Sequence, residues 1–206
     1  MKKFIPVFTF IVLVSLVSPV FAAKPTPTPV PTVKSVCIDP GHGGTDTGAV
    51  NGDLYEKNVN LNVALFLKAK LETVDYTVFM TRDADIALSN ADRYNYCNEQ
   101  KATILISIHH NGSTDSNMDY SQALYMKKVD VALAQKVVNA VSTSLTLTNK
   151  GISQFASGVL LKSKMPATIS EGFFLTNENE YNLINTSNRL EDESEALFTA
   201  IQSYFN

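Results

Sequence analysis

All three histidines of the chain fall in two short segments, Cys37-Ile38-Asp39-Pro40-Gly41-His42-Gly43-Gly44 and Ser107-Ile108-His109-His110-Asn111-Gly112. Both read as strand ends opening into glycine-rich or polar loops, where α/β proteins usually build their sites. Imidazole is the commonest protein ligand for zinc, so the placement points to a metal site. A hydrolytic zinc site needs three protein ligands, an open position for water, and a carboxylate that takes the water's proton without binding the metal. His42 lies in a turn whose glycines permit positive φ and close approach to the backbone. Glu56 opens the first long helix, where the helix dipole alone would account for a carboxylate. His109 ends the most apolar strand of the chain; taken singly it is equally a hydrogen-bonded core residue, and His110 is its competitor. Strand alternation points the two side chains to opposite faces, so one of them, not both, serves one ion. Glu171 directly follows a predicted strand, Ala167 to Ser170. A carboxylate there is costly unless paired, solvated or used, which makes it the candidate general base.

Alternating strands and helices must position these groups. Ser35 to Asp39 is a short apolar strand. Glu56 to Glu72 reads as a helix with Val59, Val63, Leu67 and Leu71 on one face. Thr77 to Thr81 is strand-like and Ala91 to Glu99 helical. Thr103 to His109 is apolar on both faces, as expected in the middle of a covered sheet. Ala123 to Met126 is another strand, Val131 to Leu145 a helix, and Gly158 to Leu161 and Ala167 to Ser170 two further strands. Helices near Glu178 to Ile184 and Glu191 to Tyr204 close the chain. Six strands and about five helices imply a single three-layer α/β domain, a mostly parallel sheet of about six strands flanked by helices.

Lys2 and Lys3 precede an apolar run from Phe4 to Val17, and Val20 and Ala22 provide the small residues of a cleavage site. Residues 1–22 are expected to be a secretory signal peptide; an uncleaved anchor is the competing reading, and a full span calls for ~18 or more apolar residues. Residues 23–32 alternate proline with threonine and valine, an extended spacer unable to bury a core. Residues 33–206 form the expected domain. Losing the two charges of Lys2 and Lys3 takes the formal charge from −3 to −5, and no lysine or arginine run remains, which argues against nucleic acid as a partner. The cysteines, Cys37 and Cys97, lack Cys-x-x-Cys spacing and are not zinc ligands. In an oxidising compartment they could pair, and the sequence does not show whether their Cα atoms come within ~7 Å; two inert buried thiols are the favoured expectation.

Taken together, Ile38-Asp39-Pro40-Gly41-His42-Gly43-Gly44, Glu56-Lys57-Asn58-Val59-Asn60-Leu61, Thr81-Arg82-Asp83, Ala91-Asp92-Arg93, Ser107-Ile108-His109-His110-Asn111 and the stretch from Glu171 to Asn177 resemble, in order, the motifs of zinc-dependent N-acetylmuramoyl-L-alanine amidases. The resemblance covers the chain from Val36 onward. It implies one Zn2+ per chain held by His42, Glu56 and His109, with His110 at a variable position and Glu171 as the catalytic glutamate. The implied reaction is hydrolysis of the amide between the lactyl group of N-acetylmuramic acid and L-alanine of the peptidoglycan stem. Thr47 and Phe173 depart from the family pattern, where proline and glycine are usual, and bear on substrate fit more than on chemistry. Arg82 and Arg93 are expected to pin loops through ion pairs with Asp83 or Asp92. The short stretch from Gly112 to Gln122 leaves no room for a sizeable inhibitory helix, so an open site is expected. The resemblance also implies a protein exported to the periplasm or the cell wall, a monomer without stable membrane insertion once the signal is cut. A zinc peptidase acting on the stem, or an inactive wall-binding protein, are the competing readings.

Overall fold

In a computed structural model the chain is described at Met1 and over residues 34–206. The expected signal peptide and proline-rich spacer lie outside the described residues, Met1 apart. The strands are β1 (Ser35–Pro40), β2 (Val50–Asn51), β3 (Leu54–Tyr55), β4 (Thr77–Met80), β5 (Ile104–Asn111), β6 (Ser121–Tyr125), β7 (Asn149–Gln154) and β8 (Ala167–Phe174). The helices are α1 (Glu56–Glu72), α2 (Asn90–Glu99), α3 (Val131–Ser144), α4 (Gly158–Lys162), α5 (Glu178–Thr186) and α6 (Arg189–Phe205). Six strands form one sheet in the order β4-β1-β5-β8-β6-β7, and β2 and β3 make a separate hairpin. The sheet is parallel throughout except between β6 and β8.

Side-chain alternation along the strands explains the layers. Val36, Ile38, Ile104, Ile106 and Ile108 face a core shared with Val63 and Leu67 of α1, Leu133 and Val137 of α3, and Leu197 and Ile201 of α6. Cys37, Leu105, Ala167 and Ile169 face the other way, onto Cys97 of α2 and Val159 and Leu160 of α4. β5 is therefore covered on both sides, which accounts for its continuous apolar sequence.

Three expectations are corrected. The apolar run at Gly158 to Leu161 is the helix α4, capped by the Ser157 hydroxyl accepting from the Leu160 amide at 3.3 Å; short apolar runs fit strand and helix equally well. The sixth strand is instead β7, whose sequence Asn-Lys-Gly-Ile-Ser-Gln is polar because it lies at the sheet edge. The cysteines are not free thiols: Cys37 and Cys97 are joined in a disulfide, with Cα atoms 5.8 Å apart. This bond ties β1 to α2 on the face opposite α1.

Closing a loop of sequence separation 60 restricts the unfolded chain, and such cross-links typically stabilise by about 2–4 kcal/mol. Replacing both cysteines with alanine should lower the unfolding free energy by that amount in urea titrations while leaving the far-ultraviolet dichroism unchanged.

Candidate metal centre and groove

Four elements bring the predicted residues together at one end of the sheet. His42 follows β1, in a turn where it adopts φ of 60°, a left-handed conformation uncommon outside glycine and characteristic of functional sites. Glu56 is the first residue of α1, buried to 4 % exposure. His109 and Glu171 lie on neighbouring strands and face each other in register. Glu171 does not follow its strand, as expected from sequence, but sits inside it, because β8 continues to Phe174 and pairs there with Asn111.

The Glu56 carboxylate is the hub. Its Oε1 lies 3.1 Å from His42 Nε2 and 3.0 Å from His109 Nδ1, and also accepts from the His110 amide at 3.1 Å. Its Oε2 accepts from the Ala49 amide at 2.8 Å. The three ligand atoms of His42, Glu56 and His109 lie within 4.8 Å of one another. Ligands around tetrahedral zinc, each about 2.0–2.2 Å from the ion, are separated by about 3.4 Å, so the spacings around Glu56 fit a shared cation with slight relaxation. Two nitrogens and an oxygen are also a donor set that suits zinc. Two glycines make the convergence possible: a Cβ on Gly41 would meet the His109 ring at 2.2 Å, and one on Gly48 would meet Glu56 Oε2 at 2.4 Å.

A surrounding layer fixes these side chains. His42 Nδ1 bonds Asp46 Oδ2 at 2.9 Å, leaving Nε2 to face Glu56; a carboxylate behind an imidazole is the usual way a metal-binding histidine is oriented. Asp46 carried no role in the sequence reading, although its position four residues after His42 within the glycine turn was the available signal. Asn60 donates to Gly41 O at 3.1 Å and to Glu56 Oε1 at 3.3 Å. His110 points to the opposite face, as strand alternation requires, and is buried between Asn60 Oδ1 at 2.7 Å and Glu193 Oε2 at 2.8 Å.

The arginines act differently from the expectation. Arg93 pairs with Asp39 at 2.8 Å, not with Asp92, and donates to the carbonyl oxygens of Pro40 and His42. Arg82 donates to the carbonyl oxygens of Pro40, Gly41 and Lys57, whereas Asp92 caps α2 through Ser89. Both guanidiniums thus grip the backbone of the His42 turn. Burial raises the Asp39 carboxyl, but the Arg93 charge and hydrogen bonds from Thr81 and Ser107 hold it below the usual carboxylate range.

In the metal-free state burial lowers His42, but the hydrogen bond and charge of Glu56, aided by Asp46, outweigh it and raise the imidazole to about 9. Burial pushes Glu56 up, and its bonds to His109 and His42 more than reverse that, holding it low. Glu171 is the contrast: burial raises its carboxyl, only partly opposed by the charge of His109. His42, His109 and Glu171 line one groove of about 550 Å³. Among the described residues no helix is long and apolar enough to cross a membrane.

Residues 36–203 match the protein family described as N-acetylmuramoyl-L-alanine amidase. The chain is 28 % identical over 176 residues to the N-acetylmuramoyl-L-alanine amidase LytC of Bacillus subtilis (strain 168), an alignment covering 84 % of this chain and 36 % of LytC. It therefore spans about a third of that relative's length. Among solved structures it resembles the catalytic domain of CwlV, an N-acetylmuramoyl-L-alanine amidase from Bacillus (Paenibacillus) polymyxa var. colistinus, at TM-score 0.80 and 28 % identity, covering 84 % of this chain and 98 % of that one. The N-acetylmuramoyl-L-alanine amidase AmiC2 of Nostoc punctiforme aligns at TM-score 0.79 and 30 % identity, covering 84 % and 98 %.

A metal ligand must be a neutral imidazole, so loading the site below about pH 9 displaces the His42 proton. Chelator competition at a series of pH values should therefore show cation affinity rising from pH 6.5 to 9. The raised imidazole contributes stability to the metal-free protein that is fully present below about pH 6.5 and is lost as pH rises through 9. Thermal melts of metal-free protein should show that decline.

Proposed function

This chain belongs to the family of N-acetylmuramoyl-L-alanine amidases, and from that premise we propose that it hydrolyses the amide between the lactyl group of N-acetylmuramic acid and L-alanine of the stem peptide. The observation that carries the proposal is the convergence of His42, Glu56 and His109 on one point, in the same groove as a carboxylate that binds neither histidine through a hydrogen bond of its own, Glu171. His42 Nε2, Glu56 Oε1 and His109 Nδ1 would hold one Zn2+ per chain. When bound, the ion would supply a Lewis acid for the scissile carbonyl and lower the pKa of a bound water toward ~7.

Glu171 takes up the proton of the attacking water. A carboxyl raised by burial holds that proton better than a solvated one, and it returns the proton to the departing amine of L-alanine, so the stem leaves as a neutral-nitrogen product and the carboxylate is restored. Asp46 keeps His42 in the tautomer with its lone pair on Nε2. Arg82 and Arg93 hold the turn that carries His42 by its carbonyl oxygens, so the site is built before substrate arrives. The groove between His42 and Glu171 is open to solvent-borne polymer, in keeping with the short β5–β6 connection.

Peptidoglycan lies outside the cytoplasmic membrane, and the basic, apolar and small-residue pattern of residues 1–22 is the export signal that this substrate demands. Residues 23–32 then act as a spacer before the catalytic domain, and the mature protein works as an exported monomer, in the periplasm or the cell wall.

Glu171→Gln should retain zinc, measured by metal analysis of the purified protein, while release of stem peptide from peptidoglycan falls by about 10²–10⁴-fold, the usual contribution of a positioned acid–base group. His42→Ala should lose both zinc and activity. A Glu171→Gln protein with wild-type turnover overturns the assignment of the base.

A further inference from the structure

Phe155 is 52 % exposed, a large apolar side chain left in water. It occupies the corner between β7 and α4, and that corner is tied down. The Phe155 amide donates to Tyr125 O at 2.8 Å, and its carbonyl accepts from the Ser157 amide at 2.9 Å. On either side, Gln154 Nε2 donates to Met126 O and Ser157 caps α4. The backbone that carries the ring is therefore held in place before any ligand arrives, so little backbone ordering entropy is lost when something packs on it.

What it faces is the groove that also contains His42, His109 and Glu171. Leu88, Leu124 and Val159 line the groove with Phe155, giving it apolar surface beside the candidate metal ligands His42 and His109. The charges along the groove restrict what this surface accepts. Asp46 and Glu171 are acidic, and the lining guanidinium, Arg93, is already spent on Asp39 and on the carbonyl oxygens of Pro40 and His42. Among the described lining residues there is no unpaired cation. Away from the candidate metal ligands a stem peptide's free carboxylates find no cationic partner, whereas an uncharged ring with an apolar face finds Phe155.

We propose that Phe155 is a specificity-determining residue that stacks on the C–H face of the muramoyl pyranose ring, the neutral sugar adjoining the scissile amide. This rests on the amidase reading above and adds to it the direction of the substrate: sugar against the Phe155 wall, stem peptide leaving the groove elsewhere. The ring's edge hydroxyls remain free for the polar groups of Asn90 and Ser157, which line the same groove. Phe155 touches no reacting atom, so its effect falls on binding and discrimination.

The test compares two substrates, a muramoyl tripeptide and the same tripeptide carrying only a D-lactyl group, which has the scissile amide but no sugar. Phe155→Ala should raise KM for the muramoyl substrate by about tenfold, the upper end expected for an aromatic stack, with kcat within twofold, and leave the lactyl peptide unaffected. Phe155→Tyr, which keeps the ring, should restore the wild-type KM. An equal change on both substrates, or none on either, overturns the proposal. A parallel titration by nuclear magnetic resonance uses the zinc-loaded protein and the disaccharide of N-acetylglucosamine and N-acetylmuramic acid with its lactyl carboxyl reduced to the alcohol, a neutral sugar that lacks the scissile lactyl–alanine amide. Binding by wild type that is lost in Phe155→Ala supports the sugar wall, and equal binding or no binding overturns it. A wild-type protein that cleaves neither peptide refutes the amidase reading, and the titration then decides the assignment of Phe155 by itself.

Discussion

A buried carboxylate that cannot be left alone organises this end of the molecule. Glu56 is almost fully enclosed at the start of α1, and an ionised carboxylate in that position is strongly unfavourable unless every lone pair is matched. Its partners come from four separate segments: His42 after β1, Ala49 before the β2–β3 hairpin, Asn60 one turn along α1, and His109 with the His110 amide on β5. Matching this one group therefore fixes the relative placement of a helix, a strand and two loops. The same convergence places two imidazoles around one carboxylate oxygen, a donor set that could hold a metal ion.

The sheet gives this arrangement its location and the buried charges give it rigidity. Parallel β1, β5 and β8 end side by side, so residues just beyond or near those ends meet without long excursions, the general logic of sites in open α/β sheets. The turn bearing His42 has little regular structure of its own. It is held from below by Arg82 and Arg93, which donate to successive carbonyl oxygens, and Arg93 is in turn neutralised by Asp39. The disulfide between Cys37 and Cys97 joins the strand that carries Asp39 to the helix that carries Arg93, so the clamp and the cross-link reinforce the same junction. Behind His109, the buried pair of His110 and Glu193 fills the other face of β5 and reaches Glu56 through Asn60.

The elements that bury a regular apolar stripe were legible in the sequence. α1 has the predicted bounds, Glu56 to Glu72, because Val59, Val63, Leu67 and Leu71 recur on one side and no competing pattern exists. The separation of His109 from His110 followed from strand alternation alone. The misread segments share a cause: they are short, or their pairing is set by distant chain. Four apolar residues at Gly158 to Leu161 carry no period long enough to separate helix from strand. The polar edge strand β7 shows no hydrophobic signal, and β8 runs past Glu171 because β5 extends beside it as far as Asn111. The candidate ligands His42, Glu56 and His109 were visible as residue types at strand and helix ends. Their supports, Asp46, Asn60 and the Asp39–Arg93 pair, were not, since each depends on contacts between segments rather than on any local pattern.

The central claim is that these groups form a zinc site that cuts one particular amide, and the most direct test is mass spectrometry of purified peptidoglycan incubated with the mature protein, a chelator, and zinc added back. Free stem peptides beginning at L-alanine, lost with the chelator and recovered with zinc, are the predicted result. Shortened stems still joined to the sugar, or stem release that survives complete removal of the metal, would contradict the account.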